Sequence, residues 1–133
     1  MNTGKIVSVA GPVVDVRFDS TEALPDIRDA LTVELNGKRC AMEVSKNMGN
    51  CVVRCIMLAA SDGLKKGMEV VSTGSPITVP VGEETLGHMF NVLGEVIDGG
   101  EQIRGSEQWS IHRTPPSFEN QSPVVEILET GIK

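Results

Sequence analysis

The chain has 133 residues, with 12 basic and 18 acidic side chains, a net charge of −6 and an apolar fraction of 40%. This length suits one small domain with a packed core, alone or with an extension, and the composition excludes a simply disordered chain. No apolar run approaches the roughly 20 residues that a membrane-spanning helix requires. The first residues run directly into an apolar strand pattern, so no secretory leader is expected.

The negative charge lies in the second part of the chain. Residues 1–82 hold nine basic and nine acidic side chains, so the whole excess of −6 falls in residues 83–133. Proteins that bind nucleic acid usually combine a basic patch with stacking aromatic side chains, but only 3% of this chain is aromatic. Nucleic acid is therefore not an expected partner.

Apolar and polar residues alternate with a period of two through residues 1–80, which predicts β-strands. The apolar members of the first two clear runs are Val14, Val16, Phe18, Leu31, Val33 and Leu35. The Asn36-Gly37 pair that follows predicts a hairpin, because a type I′ turn needs a positive φ at both central residues. The return strand, residues 39–44, places Cys40, Met42 and Val44 on one face.

Residues 51–58 are apolar on both faces, as in a strand at the centre of a closed sheet, and short strands follow at residues 70–71 and 77–79. Turn residues separate these runs, among them those at 47–50, and this pattern predicts an all-β barrel or sandwich. A barrel is preferred because closure removes exposed strand edges. The expected core residues are Val14, Val16, Phe18, Val33, Val53 and Ile56.

After Pro80 the pattern changes. Residues 82–87 predict one short helical turn with the acidic pair Glu83-Glu84 near its start, where carboxylates complement the helix dipole. Residues 88–92 predict a further strand, closed by a turn at residues 93–95. Glycine and proline pairs over residues 98–123 predict extended, irregular structure.

Three cysteines give an odd number with no Cys-x-x-Cys spacing. If Cys51 and Cys55 share a strand, their Cα atoms are about 13 Å apart, beyond the roughly 7 Å that a disulfide allows. A bond from Cys40 to either remains sterically open. The preferred interpretation is three free, mostly buried thiols in a reducing compartment.

The residue patterns of most catalytic sites are missing. A P-loop needs Gly-x-x-x-x-Gly-Lys-Ser/Thr, and neither Gly4-Lys5 nor Gly37-Lys38 meets it. His88 and His112 stand apart from other metal-ligating residues, so packing or surface roles are preferred for both. The apolar neighbours of Cys51 and Cys55 predict inert thiols. No catalytic, cofactor-binding or metal-ligating residue is predicted in this chain.

Motifs along the whole chain nevertheless resemble one family. They are residues 4–16 (Gly-Lys-Ile-Val through Gly-Pro-Val-Val-Asp-Val), 24–31, 53–54, 62–64, 80–87 (Pro-Val-Gly through Thr-Leu-Gly), 90–94 (Phe-Asn-Val-Leu-Gly), 111–113 and 126–133 (Glu-Ile-Leu-Glu-Thr-Gly-Ile-Lys). In order and spacing they are similar to the beginning of the beta subunits of F-type rotary ATP synthases. Two positions depart from that family: His88 stands where it usually has arginine, and Val96 where it usually has proline.

The resemblance implies a closed six-stranded Greek-key barrel over residues 1–80, and the truncated start of a nucleotide-binding domain over residues 81–133. The family's barrels alternate with those of alpha subunits in the ring of the catalytic head. The full-length relative binds ATP or ADP with Mg²⁺, but the family places its P-loop and catalytic residues beyond the motifs matched here. The chain alone is therefore expected to be inactive, as a peripheral part of a complex on the cytoplasmic face of the bacterial plasma membrane.

Three other interpretations fit parts of the sequence. One is a barrel-type module that binds a peptide or an oligonucleotide, which the charge and the scarcity of aromatics disfavour. Another is the N-terminal domain of a related rotary or export ATPase, which would match residues 90–94 and 129–133 less well. The third, ATP hydrolysis by these residues alone, is disfavoured by the missing P-loop.

Residues 99–133 are expected to be much less stable than the barrel. Their apolar residues are Ile103, Trp109, Ile111, Phe118, Ile127, Leu128 and Ile132. In the full-length relative these side chains would pack on a sheet that this chain lacks. Without alpha subunits, the chain is expected to be a monomer or to self-associate weakly.

Because the chain has no P-loop, we expect it to show no useful affinity for nucleotide. Calorimetric titration with Mg·ATP should detect no saturable binding tighter than about 100 μM, which corresponds to about 5.5 kcal/mol. Saturable binding below that dissociation constant would contradict the prediction.

Overall fold

The alternating pattern of residues 1–80 forms the strands of a closed barrel in the computed structural model, which describes residues 2–103, 105–125, 127 and 129–130. The barrel strands are β1 (Thr3–Ala10), β2 (Val13–Phe18), β3 (Asp29–Leu35), β4 (Lys38–Gly49), β5 (Val52–Met57) and β6 (Glu69–Pro76). Their order around the barrel is β1-β2-β5-β4-β3-β6, and every neighbouring pair is antiparallel. Hairpins join β3, β4 and β5, while β6 returns beside β3, which is a Greek key. The predicted all-β class and six-stranded barrel are confirmed.

The barrel interior is filled by one side of each strand. The core residues are Ile6, Val14, Val16, Phe18, Leu31, Val33, Met42, Val44, Val53, Cys55, Met57 and Val70. They alternate with outward-facing residues along each strand, because successive side chains of a strand point to opposite faces. Five of the six predicted core residues lie in this set.

Ile56 was predicted to be a core residue, and that prediction is wrong. Its side chain is 45% exposed, because Cys55 and Met57 on either side of it take the inward positions of β5. Both faces of β5 are apolar in sequence, so composition does not indicate which of its two alternating sets of side chains points inward. Register decides it: Ile56 pairs with Val13, on the outer face of β2.

All three tight hairpins of the barrel contain residues with positive φ, and in the first, between β1 and β2, this residue is Gly11, with φ 60°. Asn36 has φ 52° and Gly37 has φ 75°, as the predicted type I′ turn requires. The next turn differs from the prediction at residues 47–50, because β4 continues to Gly49 through two irregularities in its pairing with β5. The reversal falls instead at Asn50 and Cys51, with φ values of 52° and 62°.

The residues after the barrel form a small, irregular extension. β7 (Thr78–Val81) pairs with β8 (Glu107–Ser110), and residues Glu83–Thr85 and Phe118–Asn120 form single 3₁₀ turns. The acidic helical turn is therefore confirmed. The strand predicted at residues 88–92 is reduced to one bridge, between Phe90 and Val96. Because β7 extends across residue 80, the boundary between a barrel domain of residues 1–80 and a second domain of residues 81–133 stays a prediction.

The cysteines of this fold are free, as predicted, and they differ in burial. Cys55 is buried in the barrel core, whereas Cys40 and Cys51 are half-buried. Cys51 is half-buried because it lies in the turn after β4 and not within β5.

The contrast between an inward and an outward position on the barrel is testable. Leu31→Ala removes a fully buried side chain and should lower the free energy of unfolding by about 2–5 kcal/mol. Ile56→Ala should lower it by no more than about 1 kcal/mol, because that side chain keeps much of its exposure on folding. Urea unfolding followed by circular dichroism measures both, and equal losses would contradict the assigned register.

Candidate subunit interface

The outer face of β2 and β5 is centred on one ion pair. Asp15 and Arg54 are cross-strand partners. The Arg54 Nε donates to Asp15 Oδ1 at 2.8 Å, and its Nη2 donates to Asp15 Oδ2 at 3.0 Å. Two parallel bonds of this kind hold both side chains in one geometry. The Arg54 guanidinium lowers the pKa of Asp15 by these bonds, and Asp15 in turn raises the pKa of Arg54.

Apolar side chains lie on either side of this pair. Val13 faces Ile56 toward one end of the two strands, and Val52 faces Arg17 toward the other. The face therefore combines the exposed Ile56 at one end, the Asp15–Arg54 pair at its centre and the exposed Arg17 at the other end. The part of this face formed by Ile56 and the ion pair can be covered by another protein at less cost than a surface with an unpaired charge, whose burial is strongly unfavourable.

A second outer surface, on β4, is partly covered by the extension. Arg39 Nη2 lies 3.9 Å from Glu95 Oε1, and Glu43 Oε2 lies 2.9 Å from His112 Nε2. Between these two pairs, Ala41 is only 3% exposed although it points out of the barrel. We call this outward row of Arg39, Ala41 and Glu43 the β4 strip. Its central alanine leaves room for the chain that crosses it.

The chain that crosses the strip is a turn built by Asn91. The Asn91 Oδ1 accepts from the backbone N–H of Leu93 at 2.9 Å and of Glu95 at 3.0 Å, while its Nδ2 donates to Glu95 Oε2 at 2.7 Å. Gly94 has φ 72°, and a Cβ at this position would lie 2.5 Å from Pro80 Cδ. Glycine therefore allows the turn to pack against β7.

Both histidines contact carboxylates, but one contact lies within the extension and the other joins the extension to the barrel. His88 Nδ1 lies 3.1 Å from Asp98 Oδ2, and Asp98 also accepts from the backbone N–H groups of Met89 and Gly100. The bond from Gly100, followed by that from Met89, lowers the pKa of Asp98. His112 contacts Glu43 of the barrel. Sequence reasoning found neither partner, because 10 and 69 residues separate the members of these pairs.

The cysteine, histidine and glutamate side chains weighed above for chemistry lie in different elements of the fold. Burial raises the pKa of the Cys55 thiol to about 12, with a smaller contribution from the charge of Asp15, so this thiol is a poor nucleophile. The part of the chain that the structure describes contains no group of three or more His, Cys, Asp or Glu residues placed to hold a metal ion. Glu83 and Glu84 occupy a three-residue 3₁₀ turn.

The same described residues do not fit ATP. Binding of a triphosphate by a glycine-rich loop depends on the N-terminus of the helix that follows, which directs several backbone N–H groups at the phosphates. The helical segments among these residues are two 3₁₀ turns of three residues each, and carboxylates occupy the first turn of both. We therefore derive no chemical step through a bound nucleotide.

The extension exposes much more apolar surface than the barrel. Among the described residues, large exposed apolar side chains in the barrel and its loops are Ile27, Met48, Ile56 and Leu58. Those in the extension are Leu86, Met89, Val92, Ile97, Trp109, Ile111, Phe118, Val124, Val125 and Ile127. A contiguous apolar patch on a protein surface often marks a site of contact with another protein or domain. Leu128 and Ile132, which share the predicted pattern, lie outside the described residues.

Within residues 2–103, 105–125, 127 and 129–130, no helix is both long enough and apolar enough to cross a membrane. Residues 6–74, just over half of the chain, match the model of the beta-barrel domain of the ATP synthase alpha/beta family. The chain therefore belongs to that family, and membership implies assembly with other subunits of an ATP synthase catalytic head.

The ion pair on β2 and β5 predicts a pH dependence of stability. The pKa of Asp15 is lower in the folded chain than in the unfolded chain, so its contribution is present above the ordinary aspartate pKa and is lost as the pH falls through the folded value. Asp15→Asn should therefore lower the thermal midpoint at pH 7, and the difference from the wild type should shrink as the pH falls below about 4. Thermal unfolding at pH 2–7 measures it, and a difference that is independent of pH would contradict the assignment.

Proposed function

We propose that, within this family, the chain is the N-terminal part of the beta subunit of an F-type ATP synthase. The motifs at residues 90–94 and 129–133 support the beta type, since alpha subunits and export ATPases resemble this chain less well at both places. The motifs that follow the barrel also keep the order and spacing of beta subunits, and they cover residues that the barrel model does not match.

In this proposal the barrel holds alternating alpha and beta subunits together in the ring of the catalytic head. The outer face of β2 and β5 is the observation that carries it. Asp15 and Arg54 at its centre are paired with each other, and Ile56 beside them is 45% exposed. Equal numbers of basic and acidic residues over 1–82 also suit side-by-side contact between barrels, because no strong net charge opposes it.

The full-length subunit would synthesise or hydrolyse ATP coupled to ion translocation, at the cytoplasmic face of the bacterial plasma membrane. ATP or ADP and Mg²⁺ would be held by residues outside this chain, because the described residues do not fit them. The exposed apolar side chains of the extension would then be covered by the nucleotide-binding domain that follows. Without alpha subunits, the chain would be a monomer or associate weakly with itself.

Association with an alpha subunit tests the proposal. Light scattering of an equimolar mixture with a purified F-type alpha subunit should show a complex larger than either component. Ile56→Glu should weaken that complex at least tenfold, since a carboxylate at the centre of an interface loses its hydration without gaining a partner. Ile27→Glu, which changes an equally large exposed side chain in the loop between β2 and β3, should leave it unchanged.

Two results would contradict the proposal. Failure of the wild-type chain to associate with alpha subunits would remove the ring-forming role. An equal loss for Ile27→Glu and Ile56→Glu would show that the face of β2 and β5 is not the contact.

A further inference from the structure

One exposed turn of the barrel brings together the two groups of an intramolecular reaction. Asn36 and Gly37 are both exposed in the hairpin between β3 and β4, and the pair Leu35–Lys38 closes the ladder beside them. The chain has six asparagines, and Asn36 is the one that glycine follows. Glycine has no Cβ, so its backbone nitrogen is the least hindered that a protein chain offers. The pair that favours a type I′ turn thus also places a side-chain amide next to an accessible backbone nitrogen.

The surroundings leave both groups accessible. Among the described residues, no heavy atom apart from its chain neighbours lies within 4 Å of the place where a Cβ of Gly37 would be. In the same part of the chain the Asn36 side-chain amide makes no hydrogen bond. The amides of Asn2, Asn47 and Asn91 each have a backbone partner. No hydrogen bond therefore holds the Asn36 amide away from the nitrogen that follows it.

We propose that Asn36 is a site of spontaneous covalent modification, at which deamidation through a succinimide gives isoaspartate or aspartate. The Gly37 backbone nitrogen, after losing its proton, forms a bond to Asn36 Cγ, the Cγ–Nδ2 bond breaks, and ammonia leaves. Water then opens the ring. Cleavage between the nitrogen and Cγ gives aspartate, and cleavage between the nitrogen and the backbone carbonyl carbon gives isoaspartate. The net change replaces the amide NH₂ by OH, which ionises at neutral pH, with no oxidation or reduction.

The reaction requires the turn to open. The first central residue of a type I′ turn has ψ of about +30°, which directs the next nitrogen away from that residue's own side chain. Opening is favoured here because the two residues are exposed at the end of a hairpin, and local opening costs least at such positions. The rate of deamidation at Asn36 therefore depends on how often the end of the hairpin between β3 and β4 opens.

The two products differ in their effect on the turn. Aspartate followed by glycine is also favoured in a type I′ turn. Isoaspartate instead carries the backbone through the side-chain carbon, which adds one CH₂ to a two-residue loop and disturbs the pairing of Leu35 with Lys38. The isoaspartate form should therefore unfold at a lower temperature than the wild type, whereas Asn36→Asp should unfold at nearly the same temperature as the wild type.

Peptide mass spectrometry of the whole 133-residue chain, aged at mildly alkaline pH and compared with an unaged sample, tests the site. Cleavage after Arg28 and Lys38 isolates residues 29–38, in which Asn36 is the single asparagine. Asn50 is the internal control, because it is exposed and has the same φ of 52° but precedes a cysteine. Deamidation should be about tenfold faster at Asn36 than at Asn50, because a side chain on the next residue hinders attack. In urea, where the turn is open, Asn36 should react faster still.

Asn36→Gln should leave residues 29–38 unmodified over the same period, because the longer side chain would have to form a larger ring. Circular dichroism confirms that the barrel of this variant is folded. Deamidation of Asn36 that is no faster than that of Asn50 would overturn the site. An aged sample that contains isoaspartate at residue 36 and unfolds at the same temperature as Asn36→Asp would overturn the effect on the hairpin.

Discussion

Closure of the barrel between β1 and β6 is the constraint on which the rest of the structure depends. The two strands meet in a short ladder of three residue pairs, Thr3–Val71, Gly4–Val70 and Lys5–Glu69. Gly4 lies at its centre, and a Cβ there would come within 2.8 Å of Val16 Cγ1 and 2.9 Å of the Arg17 carbonyl oxygen. Because no side chain occupies that space, β1 can pair with β2 and β6 at once. A barrel without this seam would have two exposed edges.

Closure also separates the chemistry of the two barrel faces. The thiol of Cys55 lies inside, where burial holds its pKa near 12, while its neighbour Arg54 lies outside in an ion pair with Asp15. Outward residues are then free to serve contacts with other parts of the chain or with other subunits. The β4 strip takes up the extension, and the face of β2 and β5 is left open. Each strand therefore contributes to the core and to the outer surface, because its side chains point alternately inward and outward.

Sequence alone predicted the elements whose signals are local. The alternation around Val14 and Val33 and the Asn36-Gly37 turn required no knowledge of distant residues, and the structure confirms them. The sequence did not predict that Ile56 points outward, because both faces of β5 are apolar and only the pairing with β2 distinguishes the inner face from the outer face. Residues 88–92 have a strand-like composition, but the turn built by Asn91 replaces the ladder there. The partners of His88 and His112 likewise depend on the path of the chain between them, which no local pattern encodes.

The two departures from the family's usual residues fall in one loop of the extension, and each has a local explanation. The backbone N–H of Val96 donates to Gln102 Oε1 at 3.0 Å, and Gln102 Nε2 donates back to the Val96 carbonyl at 2.8 Å. Proline, which has no N–H, would lose the first of these bonds. His88 in turn contacts Asp98, a carboxylate that an arginine at this position would also favour. Val96 therefore makes a backbone hydrogen bond to Gln102 that proline could not make, whereas His88 contacts Asp98 through an imidazole in place of a guanidinium.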